Sequence, residues 1–236
     1  MDFKNGNLFE PLLLAETLET FSDLMEKLAR QIGFDHFAFG LKSPYPLTSP
    51  KTQLVNNYPQ QWQKSYSDNK YLAIDPTVQH GLRSTQPLIW KEDLYTFARP
   101  MWEEARSFGL NHGWAQAYRD AHGNIGMLTL VRSNEIISTT ELIDKSAQLS
   151  WLTQQAHASF SNIMHSGTQK DTTRLTQREI EILRWTAEGK TSSEAAIILN
   201  ITTRTVNFHL NNASAKFGSA NKTAAVVQAA LMGLLA

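Results

Sequence analysis

Residues 175–217 read LTQREIEILRWTAEGKTSSEAAIILNITTRTVNFHLNNASAKF, and their punctuation leaves few ways to fold. Thr176 followed three residues later by Glu179 is a capping-box start. Ile180, Leu183 and Trp185 or Ala187 then supply one buried face, and Gly189 stops the helix. A second helix runs from Thr191 to about Leu199, and a third opens at Thr202. Val206, Leu210 (or His209), Ala213 and Phe217 lie at helical spacing along the third and are expected to face inward. Two short helices joined by a tight turn, with a third amphipathic one behind, make a helix-turn-helix, whose recognition helix is laid into a DNA groove. That leaves Thr203, Arg204, Asn207, Asn211 and Lys216 outside. Arg, Asn and Thr read base edges, whereas Lys mainly meets phosphate. The Asn-rich face (Asn207, Asn211, Asn212) would favour adenine-bearing steps. The same pattern also fits a plain three- or four-helix bundle with solvated polar faces.

The chain has 236 residues, 42% of them hydrophobic, enough for two cores or one large one. Its formal net charge is zero, but the charge is unevenly placed. From Lys170 onward there are eight Lys/Arg against five Asp/Glu, giving +3 and leaving −3 for the rest. A basic small module on an acidic larger one suits DNA contact at one end. Cysteine is absent, which excludes disulfides and thiolate metal sites and fits a reducing interior. No signal peptide is expected from the first residues, and no apolar run approaches a membrane span. A cytoplasmic protein is the expectation.

Upstream, residues 8–31 place Leu12, Ala15, Leu18, Phe21, Leu24, Met25 and Leu28 at three- and four-residue spacing, predicting one helix ended by Gly33. FDHFAFGL (34–41) reads as a strand, SPYPLTSP (43–50) as a loop, and TQLVNN as a short strand. Short helical pieces follow from Pro59 to Trp90, then a clear helix in ARPMWEEARSFG. GWAQAYR (113–119) and IGMLTLVR (125–132) are predicted as two strands of a hairpin around AHGN. A long helix spans about Thr139 to Met164. The fold class is α+β: a layered N-terminal domain over 1–165, a polar linker at 166–174, and an all-α helix-turn-helix domain over 175–236.

The larger domain concentrates amphipathic aromatics beside one acid: Tyr58, Trp62, Tyr66, Asp75 and Trp90. Buried Trp and Tyr normally aim their single polar tip at a partner. Trp62 only donates, ionised Asp75 only accepts, and the tyrosines do either. That inventory matches a small, mostly apolar ligand carrying an amide and a neighbouring ester carbonyl. Residue chemistry alone nevertheless favours ordinary core packing, with Asp75 before Pro76 as a turn or N-cap residue.

Resemblance extends both readings. The stretch TxREIEILRWTAEGKTSSEAAIIL–ITTRTVNFHL is similar to the C-terminal domain of LuxR-type quorum-sensing regulators. Glu179, Leu183, Gly189, Thr191, Glu194, Thr205, Val206, His209, Lys216 and Asn221 sit where the family pattern has them. The chain departs from that pattern at Ala195, Ala213 and Phe217, all expected in the interior. Trp62-x3-Tyr66, Asp75-Pro76, Trp90 and Gly113 likewise resemble the family's autoinducer-binding domain, so the likeness spans roughly 10–235. Stretches such as NNYPQQWQKSY and WEEARSFGLNHGW look most like the QscR-like group.

The resemblance implies an α-β-α sandwich whose effector ligand is an N-acyl-homoserine lactone, with no cofactor and no metal. It implies that Trp62 donates to the lactone carbonyl and that Asp75 accepts from the amide. Tyr58 would meet the acyl carbonyl, shared with Thr129. Trp90 would pack on the ring and Tyr66 along the tail, with Ala38 and Met127 lining the tail pocket. Phe39, Leu41, Phe97, Met101, Trp102 and Ala105 are further candidates. Thr191 and Thr205 join the DNA-facing set. A homodimer on a two-fold-related operator is implied, with the stripe Leu142, Leu149, Leu152, Ala156, Phe160 and Ile163 serving either as domain core or as a subunit contact.

Three other functions could be built on such a chain. A phosphorylated receiver domain would need an acidic cluster and a five-strand alternation that residues 1–130 lack. A lactone-hydrolysing enzyme would need a nucleophile with a base, or a metal cluster, and the seven histidines are scattered without HxxxH, HxH or GxSxG. A regulator of the same fold whose DNA binding is ligand-independent or released by lactone stays open.

Overall fold

The computed structural model describes residues 9–166 and 175–235. The chain divides into two units, one built from most of 9–166 and a smaller one containing 175–235.

The larger unit is organised by a five-stranded antiparallel sheet in the order β2-β1-β5-β4-β3. The strands are β1 (His36–Lys42), β2 (Thr52–Asn56), β3 (Leu88–Ile89), β4 (His112–Arg119) and β5 (Ile125–Arg132). Helices α1 (Glu10–Leu13), α2 (Leu18–Gln31) and α6 (Thr139–Ser166) pack on one face. Helices α3 (Gln60–Asp68), α4 (Pro76–Gly81) and α5 (Arg99–Ser107) lie on the other, completing the α-β-α sandwich. Because successive strand residues point to opposite faces, Phe37, Phe39 and Leu41 enter the α2/α6 core. Ala38, Gly40 and Lys42 of the same strand face the other way.

Four sequence expectations shift. The helix expected over 8–31 is two helices, because Thr17 takes an extended conformation (φ −130°, ψ 157°) and its hydroxyl caps α2 by accepting from the Thr20 amide. The first strand starts at His36, not at Phe34, although Phe34 is still buried in the core. The two-residue strand β3 is too short to leave a periodic signal. Helix α6 runs to Ser166, past its expected end, and residues 167–174 of the expected linker lie outside the described residues. Its stripe is domain core: Leu149, Leu152, Ala156 and Phe160 are buried, and Leu142 and Ile163 pack against them. Arg132 at the end of β5 clamps Glu141 of α6 with two hydrogen bonds, and Lys145 adds a third from the next turn.

The smaller unit holds α7 (Gln177–Ala187), α8 (Ser192–Ile198), α9 (Thr203–Phe217) and α10 (Lys222–Leu231). Both expected starts are complete capping boxes, Thr176 with Glu179 and Thr191 with Glu194, and Thr202 caps α9. Gly189 has φ 84°, a left-handed value that side chains disfavour, which explains the stop. The core takes Ile182 and Leu183 from α7, whereas Trp185 is half-buried and Ala187 exposed. Ala195 and Ala213 are fully buried, as expected for interior positions. Phe217 is only partly buried against the same core. Helix α10 closes the bundle with Ala225 and Ala229, a packing that the helix-turn-helix pattern did not announce.

Candidate functional site

Between the sheet and α3–α5 lies a chamber of about 770 Å³. Its floor consists of cross-strand rows: Asn56–Ala38–Thr129, then Leu54–Gly40–Met127, then Thr52–Lys42–Ile125. Small residues at Ala38 and Gly40 keep the floor low, and aromatic side chains form much of the opposite wall. Eleven of the fourteen candidate ligand residues line this one space: Ala38, Tyr58, Trp62, Tyr66, Asp75, Trp90, Met101, Trp102, Ala105, Met127 and Thr129.

Asp75 is buried and has a divided role. Its Oδ1 accepts from the Thr77 amide at 2.8 Å and the Thr77 hydroxyl at 2.6 Å, which caps α4. Its Oδ2 accepts from the Tyr66 hydroxyl at 2.9 Å. One carboxylate with two oxygens thus caps α4 and lines the chamber. Burial pushes the Asp75 carboxyl above its ordinary value, outweighing the hydrogen bonds from Thr77 and Tyr66. Burial, then the nearby Asp75 charge, raises Tyr58 and Tyr66 too, so both stay neutral phenols.

The aromatic wall is locked from behind. Tyr71 stacks on Trp62 with centroids 5.8 Å apart, and its hydroxyl donates to Glu104 of α5 at 2.8 Å. Ser65 of α3 donates to the other oxygen of Glu104, tying α3 to α5. Tyr95 stacks on Trp102 at 4.4 Å and lines the chamber, although nothing in its sequence surroundings marks it. Trp90 lies against Gly113, where a Cβ would come within 2.1 Å of the indole. Glycine at 113 is thus required by that close approach. The indole N–H groups of Trp90 and Trp102 are buried without a hydrogen-bond partner among the described residues.

Three candidates are misplaced. Phe97 is fully exposed, on the link between the short turn at 92–95 and α5, and does not line the chamber. Phe39 and Leu41 belong to the opposite face of the sheet, because odd positions of β1 point into the α2/α6 core.

On the helical unit, Thr203, Arg204, Asn207 and Asn211 are exposed along α9. Thr191 caps α8, and Thr205 is half-buried with its hydroxyl 2.9 Å from that of Thr202. Lys216 departs from the expectation. Its ammonium bonds Glu179 Oε2 at 2.7 Å, and Glu179 is 3% exposed, so this lysine neutralises a buried acid instead of reaching for phosphate. Ser192 of α8 donates to Asn207 Oδ1 at 2.8 Å, an inter-helix tie invisible in sequence.

Two family models match this chain: the autoinducer binding domain over residues 17–160, and bacterial regulatory proteins of the luxR family over 173–229. The chain belongs to the LuxR family. The transcriptional activator AnoR of Acinetobacter nosocomialis is 44% identical over 238 residues, covering 100% of each chain. The quorum-sensing regulator RhlR of Pseudomonas aeruginosa is 36% identical, covering 90% of this chain and 88% of its own. The structure of Escherichia coli SdiA in complex with octanoyl-rac-glycerol aligns with a TM-score of 0.82 at 34% identity, over 100% of this chain and 98% of that one. The match is to the family and does not single out the QscR-like group within it. This LuxR-family chain thus carries a small-molecule-binding domain followed by a DNA-binding domain, and its relatives are transcription regulators, not enzymes. Among the described residues no helix is long and apolar enough to cross a membrane.

Proposed function

We propose that this LuxR-family protein holds an N-acyl-homoserine lactone in the chamber and, as a homodimer, binds a two-fold-related operator through α9. The observation that carries the reading is the convergence of Asp75, Trp62, Tyr58 and Thr129 on one partly open space with an apolar extension. In it, Trp62 donates to the lactone carbonyl. Asp75 accepts from the amide N–H through Oδ2, since Oδ1 is occupied by Thr77. Tyr58 meets the acyl carbonyl with Thr129, Trp90 packs on the ring, and Tyr66 lies along the chain. The floor from the Ala38 row to the Lys42 row extends about 13 Å, room for roughly ten carbons of an extended tail. A hydrogen bond to a charged group contributes about 1.5–3 kcal/mol, so Asp75 dominates head-group choice. Each buried methylene adds about 0.8 kcal/mol, so tail length sets affinity until the chamber is full.

Self-association is supported by Ile143 and Trp151, which stand exposed eight residues apart on α6 and so share a helical face. Mass spectrometry of small molecules extracted from protein grown with mixed lactones tests the ligand. Recovery of one long-chain lactone is expected, lost in Asp75→Ala, and recovery of none would overturn the reading. A second reading, a neutral acyl glycerol ester such as that bound to SdiA, is favoured by the two unpaired indole donors, which call for additional acceptor oxygens. The same extraction distinguishes it by mass. Sizing and operator binding with and without lactone separate ligand-promoted from ligand-released DNA binding.

A further inference from the structure

Along α9 the residues at 204, 207, 208 and 211 follow the i, i+3, i+4, i+7 spacing that places them on one face. Arg204, Asn207 and Asn211 are polar and exposed there. Phe208, in their midst, is 60% exposed. It takes no part in the bundle core, which receives Val206, Leu210 and Ala213 from the other side of the helix. The only ring pair recorded for it among the described residues is with its neighbour His209, at 5.5 Å. A large apolar ring held in water inside a polar, groove-facing stripe is suited to an apolar group within the groove. The major groove displays one such group, the C5-methyl of thymine.

Asn207 sharpens the picture. Asparagine reads adenine by accepting from N6 through its oxygen while donating to N7. Here that oxygen accepts from Ser192 on one of its two lone pairs, and the amide NH2 is available as a donor. Such a group meets an acceptor edge, such as thymine O4 or guanine O6 and N7.

We propose that Phe208 is a base-reading residue that contacts a thymine methyl in each half-site, beside an acceptor edge met by the Ser192-anchored Asn207. The proposal rests on the DNA-binding reading above. To test it, sites are enriched from a random duplex library with the full chain purified in the presence of long-chain lactone. Affinity is then measured with each thymine replaced in turn by uracil, which removes only the methyl. At one thymine per half-site, uracil should weaken wild-type binding by about four-fold, the worth of one buried methyl group. Phe208→Ala should bind more weakly and be indifferent to uracil at that position. Phe208→Leu and Arg204→Ala should keep the uracil penalty. A penalty that is unchanged in Phe208→Ala, or absent at every thymine, overturns the proposal and leaves DNA binding intact. Unaltered DNA affinity with lost reporter activation would assign Phe208 to a protein contact and also overturn it. Failure to enrich any site both with lactone and with protein prepared without it removes the DNA-binding reading, and this one with it.

Discussion

The two faces of the sheet are built from alternate residues of the same strands, yet one is filled and the other hollow. On the filled face Phe21, Phe39 and Phe160 meet edge-on or tilted at 5.1–5.7 Å, all fully buried. On the hollow face the facing residues of β1, β4 and β5 include Ala38, Gly40, Ala115 and Ala117, and about 770 Å³ stays open. The difference lies in side-chain volume as well as polarity, since the hollow face adds Asn56, Thr129, Thr52 and Lys42 to its small residues. Interiors are normally packed to crystal-like density, so a face that declines to fill itself is built for an occupant. Under the lactone reading, the ligand supplies the missing volume and stabilises the fold by mass action.

The largest expected effect is on the filled face. Phe39→Ala should cost about 3–5 kcal/mol, the usual loss for a buried Phe, read by denaturant unfolding. Because the hole opens away from the chamber, added lactone should raise the stability of this variant by the same increment as wild type. Recovery of the whole loss by ligand would break the separation of the two faces.

Next comes the acid of the hollow face. Asp75→Ala removes an amide acceptor worth about 1.5–3 kcal/mol, so lactone affinity should fall by one to two orders of magnitude. It also removes the cap of α4, so unliganded stability should drop by about 1 kcal/mol. A titration showing the second loss without the first would leave Asp75 as a helix cap alone.

A smaller effect is expected at Ala38. Ala38→Leu adds volume to the chamber without touching the phenylalanine core. Overpacking of about 1–3 kcal/mol should fall on the bound state of long-chain ligands, while the unliganded protein melts close to wild type. Equal affinity for short and long tails in this variant would mean that the floor row does not bound the tail.

Which of these features were legible beforehand follows from how local their causes are. The caps at Thr176, Thr191 and Thr202 and the stop at Gly189 depend on residues within a turn of each other, and the pattern displays them. The alternation of β1 is as plain and turns Phe39 away from the pocket role that the resemblance implies, because a family resemblance supplies residue types before it supplies faces. The acid that Lys216 pairs with, Glu179, lies 37 residues away, a partnership that no local pattern displays. Tyr95 is brought to the chamber by stacking on Trp102, a tertiary contact with no periodic trace. The chamber itself could not be told from core by chemistry, because the same aromatics line either.

The finest test of the comparison uses pH, since two carboxylates of the larger unit are shifted in opposite directions. Glu141 is held at about 2, chiefly by its hydrogen bonds with Arg132 and despite partial burial. A depressed folded value means that its contribution is present above its unfolded value and is lost as pH falls through about 2. Asp75 is raised by burial above its ordinary 3.8. Its sign is reversed: the folded state favours the protonated acid, so the stability it contributes is present below the unfolded value and is lost as pH rises through the raised one. A ligand amide that donates to the ionised oxygen pulls that value back down. Lactone affinity should therefore weaken as pH is lowered through the ligand-free value of Asp75, above the ordinary aspartate range of about 3.9. Asp75→Asn, which keeps an acceptor but cannot titrate, should bind more weakly and show no such fall. Calorimetric titrations across that range that stay flat for wild type, or that decline equally in both proteins, would detach the hollow face's acid from the ligand.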